Sequence, residues 1–175
     1  MISSNKNTKT KIHNFIKNDL ILWKNKIPCI IIDLISNKGT NKKIWVVVEE
    51  LFNDRKQHDD IYCFNEEYYK ITLDFNYYIL LEIKDNGYTK LLKIDSYNIN
   101  NKEAIKNTIN DLNNLNIKED VPLPNDDNEL FYKIKREKIK IEEKNLNNYV
   151  VVQLLSYTDF LTNKAYSKIN SIYVI

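Results

Sequence analysis

The hydrophobic and polar positions of this chain change period several times, and each change predicts an element. Ile12, Ile16, Leu20 and Trp23 recur at i, i+4, i+8 and i+11, with Phe15 beside them. That is the spacing of one helical face and predicts an N-terminal helix over about residues 8–24. Pro28 ends any helical tendency, because the residue before a proline is driven towards extended geometry. The Ile- and Val-rich runs Cys29–Ile35 and Lys43–Phe52 then read as a hairpin covered on both faces, with its turn in residues 36–42. Asn53–Asp60 reads as a polar loop.

From Tyr68 the period becomes two. Tyr69, Ile71, Leu73 and Phe75 alternate with Tyr68, Lys70, Thr72 and Asp74, as in a half-buried strand. Two further strands, Tyr77–Lys84 and Tyr88–Tyr97, flank Asp85-Asn86-Gly87. Glycine at the third loop position favours a three-residue turn, because only glycine takes positive φ at low cost. That turn sets Glu82 opposite Lys90, Leu81 opposite Leu91 and Leu80 opposite Leu92.

A second helix is expected over about Asn101–Asn116, with Ala104, Ile105, Ile109, Leu112 and Leu115 facing inward and Asn100 or Asn101 as cap. Ile117–Glu129 reads as an acidic loop, and Leu130–Lys144 fits either helix or strand. Tyr149–Leu155 reads as a buried strand, Asp159–Ile169 as a short helix and Ser171–Ile175 as a terminal strand. The expected fold class is α+β: an N-terminal helix, an antiparallel meander of five or six strands, a second helix and a mixed C-terminal segment.

A length of 175 residues suits a single globular domain, with a minor boundary expected in the loop 117–129. The 43% hydrophobic and 29% charged content is that of a chain with a packed core. Asn, Ile, Lys and Tyr make up about half of the residues, against only two Gly and three Pro. Codons for the first group are AT-rich, so an AT-rich genome (a virus, mobile element, parasite or low-GC bacterium) accounts for the skew. Lysine and tyrosine abundance therefore carries less functional weight than usual. A net charge of +2 does not by itself point to nucleic acid. The first residues lack a signal-peptide core, no apolar run reaches membrane-spanning length, and Cys29 and Cys63 make no disulfide framework. A cytoplasmic or nuclear protein with buried free thiols is expected, neither secreted nor membrane-bound.

Two glycines, Gly39 and Gly87, are too few for a phosphate-cradling loop. His13 and His58 lack a partner at metal-ligand spacing, and His58 with Asp59 and Asp60 reads as a solvated loop before it reads as a cation site. One constellation carries chemistry: Asp74, Glu82 and Lys84. An acid at the end of one strand followed on the next by Glu-x-Lys resembles the core of the PD-(D/E)xK nuclease superfamily, with Leu73 where that family carries proline. The resemblance implies Mg²⁺ or Mn²⁺ held by Asp74 and Glu82, Lys84 orienting the attacking water, and Glu49 or Glu50 as a further acid. It requires a tight turn at Asn76. The competing reading pairs Glu82 with Lys90 and leaves Lys84 in solvent.

The basic stretch Lys133–Lys140, with Lys133, Lys135, Arg136 and Lys138 as its candidate contacts, is suited to phosphate, though Glu137, Glu142 and Glu143 interleave with it. Tyr68, Tyr78 and Tyr88 are candidate interface residues, tyrosine being enriched where proteins meet. The preferred reading is a non-enzymatic protein-interaction module (inhibitor, adaptor or assembly subunit) with no cofactor and an unidentified protein partner. The metal-dependent nuclease and the basic-segment nucleic-acid binder rank behind it.

Overall fold

Beta-branched and aromatic side chains dominate the apolar runs of this chain, and the computed structural model sets most of those runs in strands. It describes residues 8–37, 39, 42–53, 55–111, 116–125, 127–144 and 146–175. The chain divides into two compact units, Met1–Thr72 and Leu73–Ile175, so the break falls at Thr72/Leu73 and residues 117–129 lie within the second unit.

The first unit contains β1 (Lys9–Lys11), β2 (Leu20–Trp23), β3 (Ile27–Ser36), β4 (Lys43–Glu50), β5 (Gln57–Cys63) and β6 (Glu67–Tyr69). β2-β3-β4-β5 form one antiparallel sheet, and β1 pairs with β6 in another. Ile21, Trp23, Cys29, Ile31, Val46 and Tyr62 share its core.

The N-terminal helix expected over residues 8–24 is not formed. A 3₁₀ turn at Ile12–Asn14 and strand β2 stand there instead. Asn18 adopts φ +73°, which breaks any helix, and Ile16, needed for the helical stripe, is 67% exposed. The contiguous run Ile21-Leu22-Trp23 is buried whole, and Lys24 and Asn25, both at positive φ, turn the chain back into β3.

The polar loop expected at Asn53–Asp60 is also corrected, since Gln57–Cys63 pairs with β4 along its length. Its inward positions include a polar one, His58, whose ring reaches Glu50, so the ladder carries polar residues that composition alone assigns to a loop. Cys29 is buried, whereas Cys63 is exposed and not the buried thiol expected.

The second unit contains β7 (Asp74–Ile83), β8 (Tyr88–Ile94), α1 (Lys102–Asn110), β9 (Ile117–Pro122), α2 (Asn128–Glu143), β10 (Val150–Thr158) and β11 (Ala165–Val174). Its five strands run in the order β11-β10-β7-β8-β9, all antiparallel, and the sheet curls until β11 approaches β9. The curled sheet has two cores. Tyr78, Leu80, Leu91, Val121, Val152 and Ile169 point inside and meet Ile134 of α2. Ile79, Leu92, Ile94 and Val151 point outside and meet Ile105 of α1.

Asp85-Asn86-Gly87 forms the expected turn, closed by Lys84 N–H to Tyr88 C=O at 2.8 Å with Gly87 at φ +81°. Glu82 stands opposite Lys90, but a bulge at Leu81 shifts the rest, so Leu80 faces Leu91 and Ile79 faces Leu92. Asn101 caps α1 by accepting from the N–H groups of Glu103 and Ala104. Leu112 and Leu115, assigned to the inner face of that helix, lie outside the described residues.

The acidic loop is partly strand β9, the ambiguous segment is helix α2, and the short helix expected at Asp159–Ile169 is a turn followed by β11. Asp159, 1% exposed, builds that turn by accepting from Leu161 N–H and the Thr162 hydroxyl. The fold is therefore mainly β, three antiparallel sheets and two short helices among the described residues, and not α+β. Among those residues no helix is long and apolar enough to cross a membrane.

Candidate nucleic-acid interface

The sixteen residues of α2 are polarised by their sequence. Asp127 caps the helix by accepting from Leu130 N–H at 3.0 Å. Ile134 is fully buried, with Leu130, Phe131 and Ile141 packed on the same side. The opposite side exposes Lys133, Arg136 and Lys140 at i, i+3 and i+7. Glu137 partly offsets this charge, lying 3.4 Å from Arg136 Nε and 3.7 Å from Lys140 Nζ. Lys138 pairs with Glu142 at 3.2 Å, and the Lys135 ammonium lies 4.4 Å from the Phe131 ring centre. Arg136 remains the most open of the paired cations here, with 71% of its side chain accessible.

Between α2 and the β7–β8 hairpin end lies a groove of about 510 Å³. Lys135 and Lys138 line it from the helix, Glu82, Lys84 and Asp85 from the hairpin. Two of the three nuclease candidates thus meet two of the four basic candidates. Asp74 is not among them. β7 is continuous, and Asn76, where a turn was required, pairs with Leu154 inside the ladder. Asp74 and Glu82 are eight steps apart on one strand, roughly 26 Å at ~3.3 Å per residue. Among the described residues no group of three or more His, Cys, Asp or Glu is placed to hold a metal.

Lys84 is not in open solvent either. It donates to Glu119 Oε2 on β9 at 2.7 Å, and Lys90 approaches the other oxygen at 3.7 Å. The Lys84 hydrogen bond and charge hold the Glu119 carboxyl below its usual range. Glu50 is buried against His58, Asp59 accepts from the Trp45 indole, and Asp60 pairs with Lys24, so these acids diverge to separate partners.

The tyrosines divide. Tyr68 is 8% exposed, with its ring edge-on to Tyr62 and its hydroxyl on Glu66. Tyr78 is 5% exposed inside the barrel, and burial followed by the nearby Asp120 charge raises its pKa. Tyr88 alone of the three is open to solvent, at 40%.

The strand order β9-β8-β7-β10-β11, with a helix in the third connection, is that of an OB-type half-barrel. Sheets of this type bind oligonucleotides or oligosaccharides on the outer face of their second and third strands and in the loops after the first and fourth. Here α1 packs on the second strand, with Ile105 against Leu92 and Ile94. Two solved structures are similar to this chain over nearly their whole length. One is a translation initiation factor eIF-5A family protein from Naegleria fowleri, at 15% identity and TM-score 0.61, covering 94% of this chain and 96% of that one. Another is eukaryotic translation initiation factor 5A from Methanococcus jannaschii, at 13% identity and TM-score 0.57, covering 95% and 94%. No protein-family model and no curated protein sequence matches the chain.

The protein-interaction reading is corrected by these findings. The fold is one found in translation factors, and two of the three tyrosines that supported an interface are core residues. Lys140, the last residue of the basic stretch, comes to stand beside Lys133 and Arg136 because the segment is helical.

Proposed function

We propose that this chain is a translation-factor-like protein that binds RNA, acting in the cytoplasm on the ribosome. The observation that carries this reading is the match of both units to eIF-5A structures across more than nine-tenths of each chain. The OB-type unit supports it chemically, because such sheets recur in oligonucleotide recognition. The contact surface is the exposed side of α2, where Lys133, Arg136 and Lys140 meet phosphates, while Lys135 and Lys138 lie in the neighbouring groove. Phosphate contacts of this kind give affinity that falls with salt and shows little sequence preference.

The test is sedimentation of the full chain with ribosomes, together with fluorescence anisotropy on a single-stranded RNA. Binding that weakens with salt and drops about tenfold or more in Lys133→Glu/Arg136→Glu is expected. A wild-type chain that neither sediments with ribosomes nor binds RNA at low salt overturns the reading.

A further inference from the structure

The outer face of the first unit's larger sheet carries a row of large apolar side chains that the core does not use. Ile35, Trp45 and Ile61 are direct cross-strand partners on β3, β4 and β5, and they are 51%, 36% and 60% exposed. Direct partners on one sheet face stand about 5 Å apart, so the three form one continuous apolar strip and not scattered surface residues. The next row on the same face is Asp33, Val47 and Asp59. Both acids are exposed, and Asp59 accepts a 3.0 Å hydrogen bond from the Trp45 indole N–H, which fixes the ring on the sheet. Lys43 is the one cation in the row on the other side, opposite Cys63.

We infer that this face docks an extended cationic peptide segment, with alternate apolar side chains on the Ile35–Trp45–Ile61 strip and lysine or arginine reaching Asp33 and Asp59. Charge complementarity selects this occupant. Two carboxylates beside an exposed indole repel a phosphate backbone, whereas they attract ammonium or guanidinium groups, which also gain from the ring face. An indole already held by Asp59 needs little ordering on binding, and tryptophan at the centre of an apolar strip is the residue type that dominates protein interfaces. The surface lies wholly within the first unit and does not depend on RNA binding by α2.

The probe is a fluorescein-labelled peptide of about ten residues alternating lysine and valine, titrated against the full chain. A glutamate–valine peptide and a single-stranded oligouridylate serve as comparisons. Saturable binding of the cationic peptide is expected, weakened about tenfold by Trp45→Ala. Asp33→Asn with Asp59→Asn leaves the indole and strip in place and is expected to weaken binding several-fold while flattening its salt dependence. Circular dichroism confirms that each variant is folded; if Trp45→Ala is not, the asparagine pair decides. Equal affinity for the acidic peptide, displacement of the cationic peptide by oligouridylate, or unchanged affinity in the folded variants overturns the inference.

Discussion

The ring of His58 lies 2.6 Å from the carboxylate of Glu50, which is 8% exposed at the end of β4. Burial on its own raises the pKa of Glu50, but hydrogen bonds from His58 and Asn53 and the charges of His58 and Lys56 outweigh it and hold the carboxyl below its usual value. A carboxylate with a depressed folded-state pKa adds stability above its ordinary value of 4.5, and that stability is lost as pH falls through the lower folded value. His58→Ala removes the closest partner of a buried acceptor and is expected to cost about 1–3 kcal/mol at neutral pH. Urea midpoints across an acid-to-neutral series should show this cost shrinking once Glu50 is protonated. A cost that stays constant over the series contradicts the assignment.

Burial and the same Glu50 charge push the Cys29 thiol up to about 12, which keeps it protonated and unreactive at neutral pH. Cys63 is exposed on the outer row of β5. Iodoacetamide at neutral pH is expected to label Cys63 in the folded chain and Cys29 only after denaturation, as read by peptide mass spectrometry. Labelling of Cys29 first would show that β3 opens under native conditions.

Gly87 takes φ +81° in the β7–β8 turn, and a Cβ built there meets nothing within 4 Å. Conformation alone therefore sets the cost of replacing it. Gly87→Ala should destabilise the second unit by about 1–2 kcal/mol, and Gly87→Asn by less, since asparagine tolerates left-handed geometry. The measurement is the denaturation midpoint of both variants. Equal losses for alanine and asparagine would point to a packing effect.

What could be read from the sequence depended on range. The Gly87 turn, the Asn101 cap and the Glu82–Lys90 pairing are set by neighbouring residues, and each is in the structure where local chemistry puts it. The N-terminal helix failed because four apolar residues at helical spacing were offset by Asn18 at positive φ and by a contiguous buried run that suits a strand. β9 was hidden because Ile117, Glu119, Asp120 and Pro122 are exposed, leaving Val121 as its buried apolar position. The α2 groove was not legible at all. It joins the hairpin end at Lys84 with Lys135 and Lys138, some fifty residues later, through a barrel closure that no local pattern encodes.

Ile134 is fully buried, while Tyr132, two residues away on the same helix, is 67% exposed. Truncating the first leaves a cavity where α2 closes the half-barrel, and truncating the second removes a largely solvated ring that meets only the edge of Phe131 among the described rings. Ile134→Ala is expected to lose about 2–5 kcal/mol and Tyr132→Ala no more than about 0.5 kcal/mol by chemical denaturation. Similar losses for the two would mean that α2 is rotated from its described orientation.

Arg136 separates structural from functional charge on the same helix. Its side chain is 71% accessible, and its 3.4 Å contact with the adjacent Glu137 is an exposed pair of the kind worth little to folding. Arg136→Ala should therefore leave the denaturation midpoint nearly unchanged. If Arg136 meets a phosphate, its loss removes one released counterion, and the slope of log affinity against log salt for single-stranded RNA falls by about 1. Lys9, on β1 in the first unit, lies over the Tyr69 ring and not on α2, so Lys9→Ala is the matched control and should leave the slope unchanged. Equal slopes in wild type and Arg136→Ala would remove Arg136 from the interface, and equal reductions in both variants would mean that the salt dependence reflects net charge and not a surface on α2.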